Sequence, residues 1–125
     1  SSTVLIGSSV SLTTATTAIV TSISLTAGDW DVHGNVATSA NAATTMTLFN
    51  VSVNSTSATL PTVPNGGAYA GITFTGLAAG SNVVLPMGVV RYSLSATTTI
   101  YLVTNVTFAT NTMAAYGFIG ARRVR

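Results

Sequence analysis

The chain has no cysteine, and only 5% of its 125 residues are charged. The first absence excludes disulfides and a cysteine nucleophile, and it leaves the redox compartment unmarked. The second bears directly on solubility. An average soluble domain carries roughly 25% charged residues, and mixed surface charge keeps small domains apart. Lysine and glutamate are missing altogether; the formal charges are Asp29, Asp31, Arg91, Arg122, Arg123 and Arg125. Four arginines against two acids set the pI near 9.5. That is too little charge for a nucleic-acid-binding stripe.

Long apolar runs are absent as well. The mean hydropathy of +0.58 invites a membrane reading, but no uninterrupted run approaches the ~20 residues that span a bilayer. The longest, near Asn82 to Val90, is broken by Pro86 and Gly88. No secretory leader is visible: Ser1 opens without Met or a charged segment, as in a processed chain or a fragment. Serine and threonine supply the polarity instead, which suits strands with a hydroxylated outer face. A 12.6 kDa chain is one domain with a real core. With so little charge, the simplest way to stay in solution is to hide surface in an oligomer.

What is present concentrates in one stretch, Leu25 to Val36, which holds the only tryptophan, the only histidine and both acids. Strand periodicity puts Trp30, Val32, Gly34 and Val36 on one face and Asp29, Asp31, His33 and Asn35 on the other. Ala27-Gly28 is the turn that leads in. This is the strand around which a β-sandwich is expected to assemble.

The rest of the chain reads as further strands. Ser1 to Leu12 alternates weakly, as an edge strand or extended arm, and Thr13 to Thr17 connects. Ala18 to Leu25 puts Ile19, Ile23 and Leu25 on one face. Ser39 to Thr44 reads as a loop, and Thr45 to Val53 as a strand with Phe49, Val51 and Val53 in phase. Asn54 to Gly67, with Pro61, Pro64 and Asn65-Gly66-Gly67, admits no central strand. Ala68 to Leu77 follows (Ala70, Ile72, Phe74), closed by Ala79-Gly80. Asn82 to Leu94 is one bulged strand or two short ones around Pro86-Met87-Gly88. Thr97 to Phe108 has Ile100, Leu102, Val106 and Phe108 on one face and Tyr101 and Val103 on the other. Thr110 to Thr112 turns into the last strand, Met113 to Val124. About eight strands, no helix and turns every ~8–12 residues predict an all-β antiparallel sandwich. Ile100 to Val103 and Tyr116 to Ile119 are apolar on both faces. One face packs on the core, so the other calls for a subunit contact.

Candidate chemistry is sparse. Asp29, Asp31 and His33 share a strand face at spacings of two, a pattern able to ligate a metal or form an acid–base pair. Two carboxylates and one imidazole fall short of a ligand set unless an oligomer pools them, so salt bridges or hydrogen bonds are the expected role. One histidine among many serines defines no nucleophile–base spacing. The glycosylation sequons at Asn50, Asn54 and Asn105 are what chance produces in a Ser/Thr-rich chain. Trp30 is in phase with Val32 and Val36 and reads as core rather than as a sugar platform. Tyr69 and Tyr92 are better placed for an exposed ligand contact. The tail Arg122-Arg123-Val124-Arg125 is either a solvated end or the partner of Asp29 and Asp31, and charge scarcity favours pairing.

Leu25-Thr26-Ala27-Gly28-Asp29-Trp30-Asp31-Val32 followed by Gly34 resembles a phrase of small structural proteins of tailed bacteriophages and prophages. Thr97-Thr98-Thr99-Ile100-Tyr101-Leu102 and Met113-Ala114-Ala115-Tyr116-Gly117-Phe118-Ile119, then Ala121 to Arg125, resemble later blocks of the same proteins. The blocks are spread over about Ile19 to Arg125. His33 stands where such proteins are expected to have a small polar residue. The resemblance implies a virion component: a head decoration (cement) protein or a head- or tail-fibre knob. It also implies a trimer with a jelly roll similar to the tumour-necrosis-factor fold, with Tyr101/Val103 or Tyr116/Phe118 near its axis. Its partners would be other copies of itself and the major capsid protein or a fibre shaft, with no cofactor, nucleic acid or membrane. The alternative is a receptor-binding module for host-surface glycan, using Asn54 to Gly67 and exposed tyrosines. A hydrolase would need a second acid or a nucleophile–base set that one chain does not supply.

Overall fold

A computed structural model describes residues 1–40, 44–57, 69–78, 83–110 and 112–124, with backbone alone at 6, 69 and 74–78. Within them are ten strands: β1 (Ser2–Val4), β2 (Val10–Ser11), β3 (Ala18–Leu25), β4 (Gly28–Ala40), β5 (Thr45–Asn54), β6 (Tyr69–Ala78), β7 (Val83–Pro86), β8 (Val90–Leu94), β9 (Thr98–Ala109) and β10 (Met113–Arg123). A single 3₁₀ turn, Ile6–Ser8, separates β1 from β2. The all-β sandwich expected from the sequence is borne out: two antiparallel sheets pack face to face. Sheet A runs β1-β10-β4-β7, with β2 also on β10 and β8 also on β4. Sheet B runs β3-β9-β5-β6.

β4 is the long central strand of sheet A, and its side chains alternate as the sequence predicts. Val32 and Val36 are fully buried between the sheets, while His33 is exposed on the outer face. Gly28, at φ 138°, makes the entry that a side-chain-bearing residue would resist. The strand continues through Ser39 and Ala40, so part of the expected Ser39 to Thr44 loop is strand, and residues 41–43 lie outside the described residues. Pro86 has no N–H to give and ends β7, so the Asn82 to Leu94 region is two short strands rather than one. Both pair with β4, at Val36↔Leu85 and Val32↔Val90, and the Met87 N–H donates to the Gly34 carbonyl at 3.0 Å between them. The N-terminal segment is an edge strand in two pieces, both on β10.

Facing β4 and β10 across the sandwich are Met46, Phe49, Val51 and Val53 of β5 and Ile100, Leu102 and Val106 of β9, all but closed to solvent. Fully burying an aliphatic or aromatic side chain of this kind stabilises the fold by about 1.5–3 kcal/mol. One phase differs from expectation. A register shift between Ile19 and Thr21 turns Val20, not Ile19, into the core. A bulge inserts one residue and flips everything beyond it, which period-two counting cannot foresee. The sheets also meet at one seam, where the hydroxyls of Ser2 on β1 and Thr21 on β3 lie 2.6 Å apart.

Candidate interaction face

The outward side of sheet A carries most of the residues singled out from the sequence, because β4 and β10 pair along eleven registered positions. Along β4 the outward residues are Asp29, Asp31, His33, Asn35, Ala37 and Ser39. Opposite them on β10 stand Arg122 (Asp31), Gly120 (His33), Phe118 (Asn35) and Tyr116 (Ala37). On the other flank, β8 sets Ser93 against Asp29 and Arg91 against Asp31, and β7 sets Val84 against Ala37. The result is a face divided along its length: charged at one end, apolar at the other.

At the charged end one carboxylate gathers two guanidiniums. Arg91 Nε donates to Asp31 Oδ1 at 2.7 Å, and Arg122 lies 3.5 Å from Oδ2. The Arg91 hydrogen bond, with help from Arg122, holds the Asp31 carboxyl below its ordinary 3.8, and the same bond raises the Arg91 guanidinium. Ser93 donates its hydroxyl to Asp29 Oδ1 at 2.7 Å. The expected pairing of the arginine tail with the acids therefore takes a particular form: Arg122 reaches Asp31, but the tighter partner is Arg91. No sequence signal singled out Arg91, whose place opposite Asp31 follows only from β4–β8 register. Arg123 turns away, over the Trp30 ring at 5.7 Å, and donates to the Ala27 carbonyl at 3.1 Å. Arg125 lies outside the described residues. Among the described residues, no group of three or more His, Cys, Asp or Glu is placed to hold a metal ion.

At the apolar end a cleft of about 250 Å³ opens between Leu5, Asn35, Ala37, Val84, Tyr116 and Phe118. Leu5 is 69% and Val84 58% exposed. Leu5 and Val84 were not candidates from the sequence, since only tertiary structure brings them beside Phe118. His33 marks the boundary between the two ends. Its ring lies 5.7 Å from that of Phe118, and both rings lean over Gly120, where an added Cβ would meet Phe118 Cζ at 2.7 Å and His33 Nε2 at 3.1 Å.

The remaining candidates lie elsewhere. Tyr101 and Val103 occupy the outward side of sheet B, where Val103 is fully buried within the subunit and Tyr101 half-buried. Trp30 is half-buried against the core, with its indole N–H donated to the Thr26 carbonyl at 2.9 Å. Tyr92 corrects its expected exposure. Directly opposite Trp30, it turns inward and packs on the core, and burial pushes its phenol above the ordinary 10.0. The Tyr69 side chain and residues 58–67 of the Pro/Gly loop lie outside the described residues. A larger cleft of about 510 Å³ opens at the β1–β3 seam, walled by Ser1, Ser2, Ser22, Ser24 and Trp30. It is bigger but gathers no charged side chain, so the divided face of sheet A is the stronger candidate. No helix among the described residues is long and apolar enough to cross a membrane. The chain matches no family model, no curated protein and no solved structure.

Proposed function

We propose that this chain is a non-enzymatic structural component of a phage particle, a homotrimer that decorates the capsid or caps a fibre. The observation that carries the reading is the apolar end of the outer face of sheet A, where Tyr116 and Phe118 border a cleft rimmed by exposed Leu5 and Val84. A chain with 5% charged residues has little else to keep such a face from a neighbour. With β1/β2 and β7/β8 each counted as one strand, the whole outer face of sheet A, charged end included, is four strands about 4.8 Å apart and about ten residues long, roughly 600 Å² per copy, at the lower edge of a stable contact. Of the two expected axis positions, Tyr116/Phe118 is favoured, since Val103 already has its cover inside the subunit.

The strand pairing supports a jelly roll similar to the tumour-necrosis-factor fold. With β1 and β2 taken as one strand, and β7 and β8 as another, the described residues form eight. The first then pairs with the last (β1·β10), the second with the seventh (β3·β9), the third with the sixth (β4·β7/β8) and the fourth with the fifth (β5·β6). That is one long hairpin rolled over two sheets. Other copies and the major capsid protein or a fibre shaft would be the partners, and the virion surface the location. Multivalent attachment would then strengthen the particle without any single strong contact. The test is solution mass by light scattering. A stable mass near three times 12.6 kDa is expected, and a clean monomer overturns the trimer.

A host-glycan receptor module is the second reading, favoured by the serine-walled cleft beside Trp30. Binding on a glycan array that is lost in Trp30→Ala, with the fold retained, would put it first.

A further inference from the structure

We infer that the contact between copies on the outer face of sheet A is acid-labile, with His33 as the group that releases it. This rests on the reading of that face as the surface where copies meet. Three features of the structure lead there. His33 is the only histidine in the chain, it is exposed, and it stands at the boundary of the apolar end with its ring against Phe118. A neighbour that covers Phe118 therefore covers His33 as well. An imidazole loses little by being covered while neutral, but an imidazolium loses its hydration, and symmetry brings its mates toward it.

The charged groups around His33 cancel one another, two carboxylates (Asp29 and Asp31) against two guanidiniums (Arg91 and Arg122), and so do not offset that cost. On its own strand, Asp31 already has Arg91 on one oxygen and Arg122 near the other, and Asp29 is engaged by Ser93. From β10 the nearest charged group is Arg122, one pair beyond Gly120, and from β8 it is Arg91; both repel an imidazolium. Residues 83–90, on the β7 flank, carry no ionisable side chain. β1 (Ser2–Val4), which pairs Thr3 with Phe118, carries no ionisable side chain. Tyr116, opposite Ala37, is the other titratable side chain on this face.

Where assembly requires each His33 to be neutral, the association constant falls roughly tenfold per pH unit for each histidine below its titration point. The experiment is light scattering of the full chain at micromolar concentration, at about pH 7.5 and about pH 5, both above the usual carboxylate range. The wild type is expected to keep its assembled mass at the higher pH and to fall to smaller species at the lower. His33→Asn and His33→Gln, permanently neutral, are expected to remain assembled at both. An unchanged wild-type mass at the lower pH overturns the inference and leaves the contact standing. Equal acid dissociation of wild type and both variants overturns it too, and moves the cause to another group. A monomer already at the higher pH overturns the contact and the inference together.

Discussion

The two sheets turn different backs to the outside, although their strands look alike in the sequence. Both β9 and β10 are apolar on two faces. In sheet B the outward Val103 is fully closed off within the subunit, between Ile19 on β3 and Ser52 on β5, and Ser52 and Asn50 are buried with it. In sheet A the outward Tyr116 and Phe118 remain half-exposed, beside an open cleft. A second apolar face is thus no proof of a partner. It becomes a candidate contact only where the subunit leaves it uncovered.

Charged substitutions break this comparison most sharply. Val103→Asp places a carboxylate where no water reaches, and it is expected to cost about 3–5 kcal/mol or the folded state itself, read by urea unfolding. Phe118→Asp, on the half-exposed face, is expected to keep the strand-rich circular dichroism spectrum while lowering the assembled mass. If the two variants behave alike, the distinction between the faces is lost. Glycines sharpen the contrast within sheet A. A Cβ at Gly117 would run into the Asn35 carbonyl oxygen of β4, whereas one at Gly7 meets nothing. Gly117→Ala is therefore expected to destabilise by about 1–3 kcal/mol, and Gly7→Ala to leave the melting temperature nearly unchanged.

Titration separates the inner from the outer side of β8. Tyr92 faces inward with its phenol raised above 10.0. Its contribution is complete below that ordinary value and is lost as pH rises through the higher folded one. Wild type is expected to lose stability above pH 10.0, and Tyr92→Phe to lose less of it. Asp31 on the outer side has the opposite sign and the smallest effect, because its carboxylate and both guanidiniums are solvated. With its carboxyl held below 3.8, its contribution is present above that value and is lost as pH falls through the lower folded one. Asp31→Asn should flatten the melting temperature against pH in that acid range.

Much of the architecture was legible in the residues. β3 matches its expected span, and β5, β9 and β10 depart from theirs by a residue or so. The inward set Val32, Gly34 and Val36 and the outward set Asp29, Asp31, His33 and Asn35 hold along β4. Where the reading slipped, the cause was tertiary. The bulge at Ile19/Thr21 exchanged Ile19 for Val20, and Tyr92 turned inward because β8 joins the edge of β4 in the register that sets it opposite Trp30. The candidate face was half legible: Asp31 and His33 were expected from composition and phase, and Tyr116 and Phe118 from a doubly apolar run together with the resemblance, whereas Arg91, Leu5 and Val84 were not.

The sequence by itself determined the all-β class, the strand positions and the two sides of β4. Those follow from side-chain alternation and from the places where proline and glycine interrupt it, which are local properties of the chain. Only the tertiary structure decided that Arg91 meets Asp31, that Val103 is covered and that Phe118 is left open. Each depends on which strands lie side by side and in what register, and residues 31 and 91 are neighbours only because β8 returns to the edge of β4.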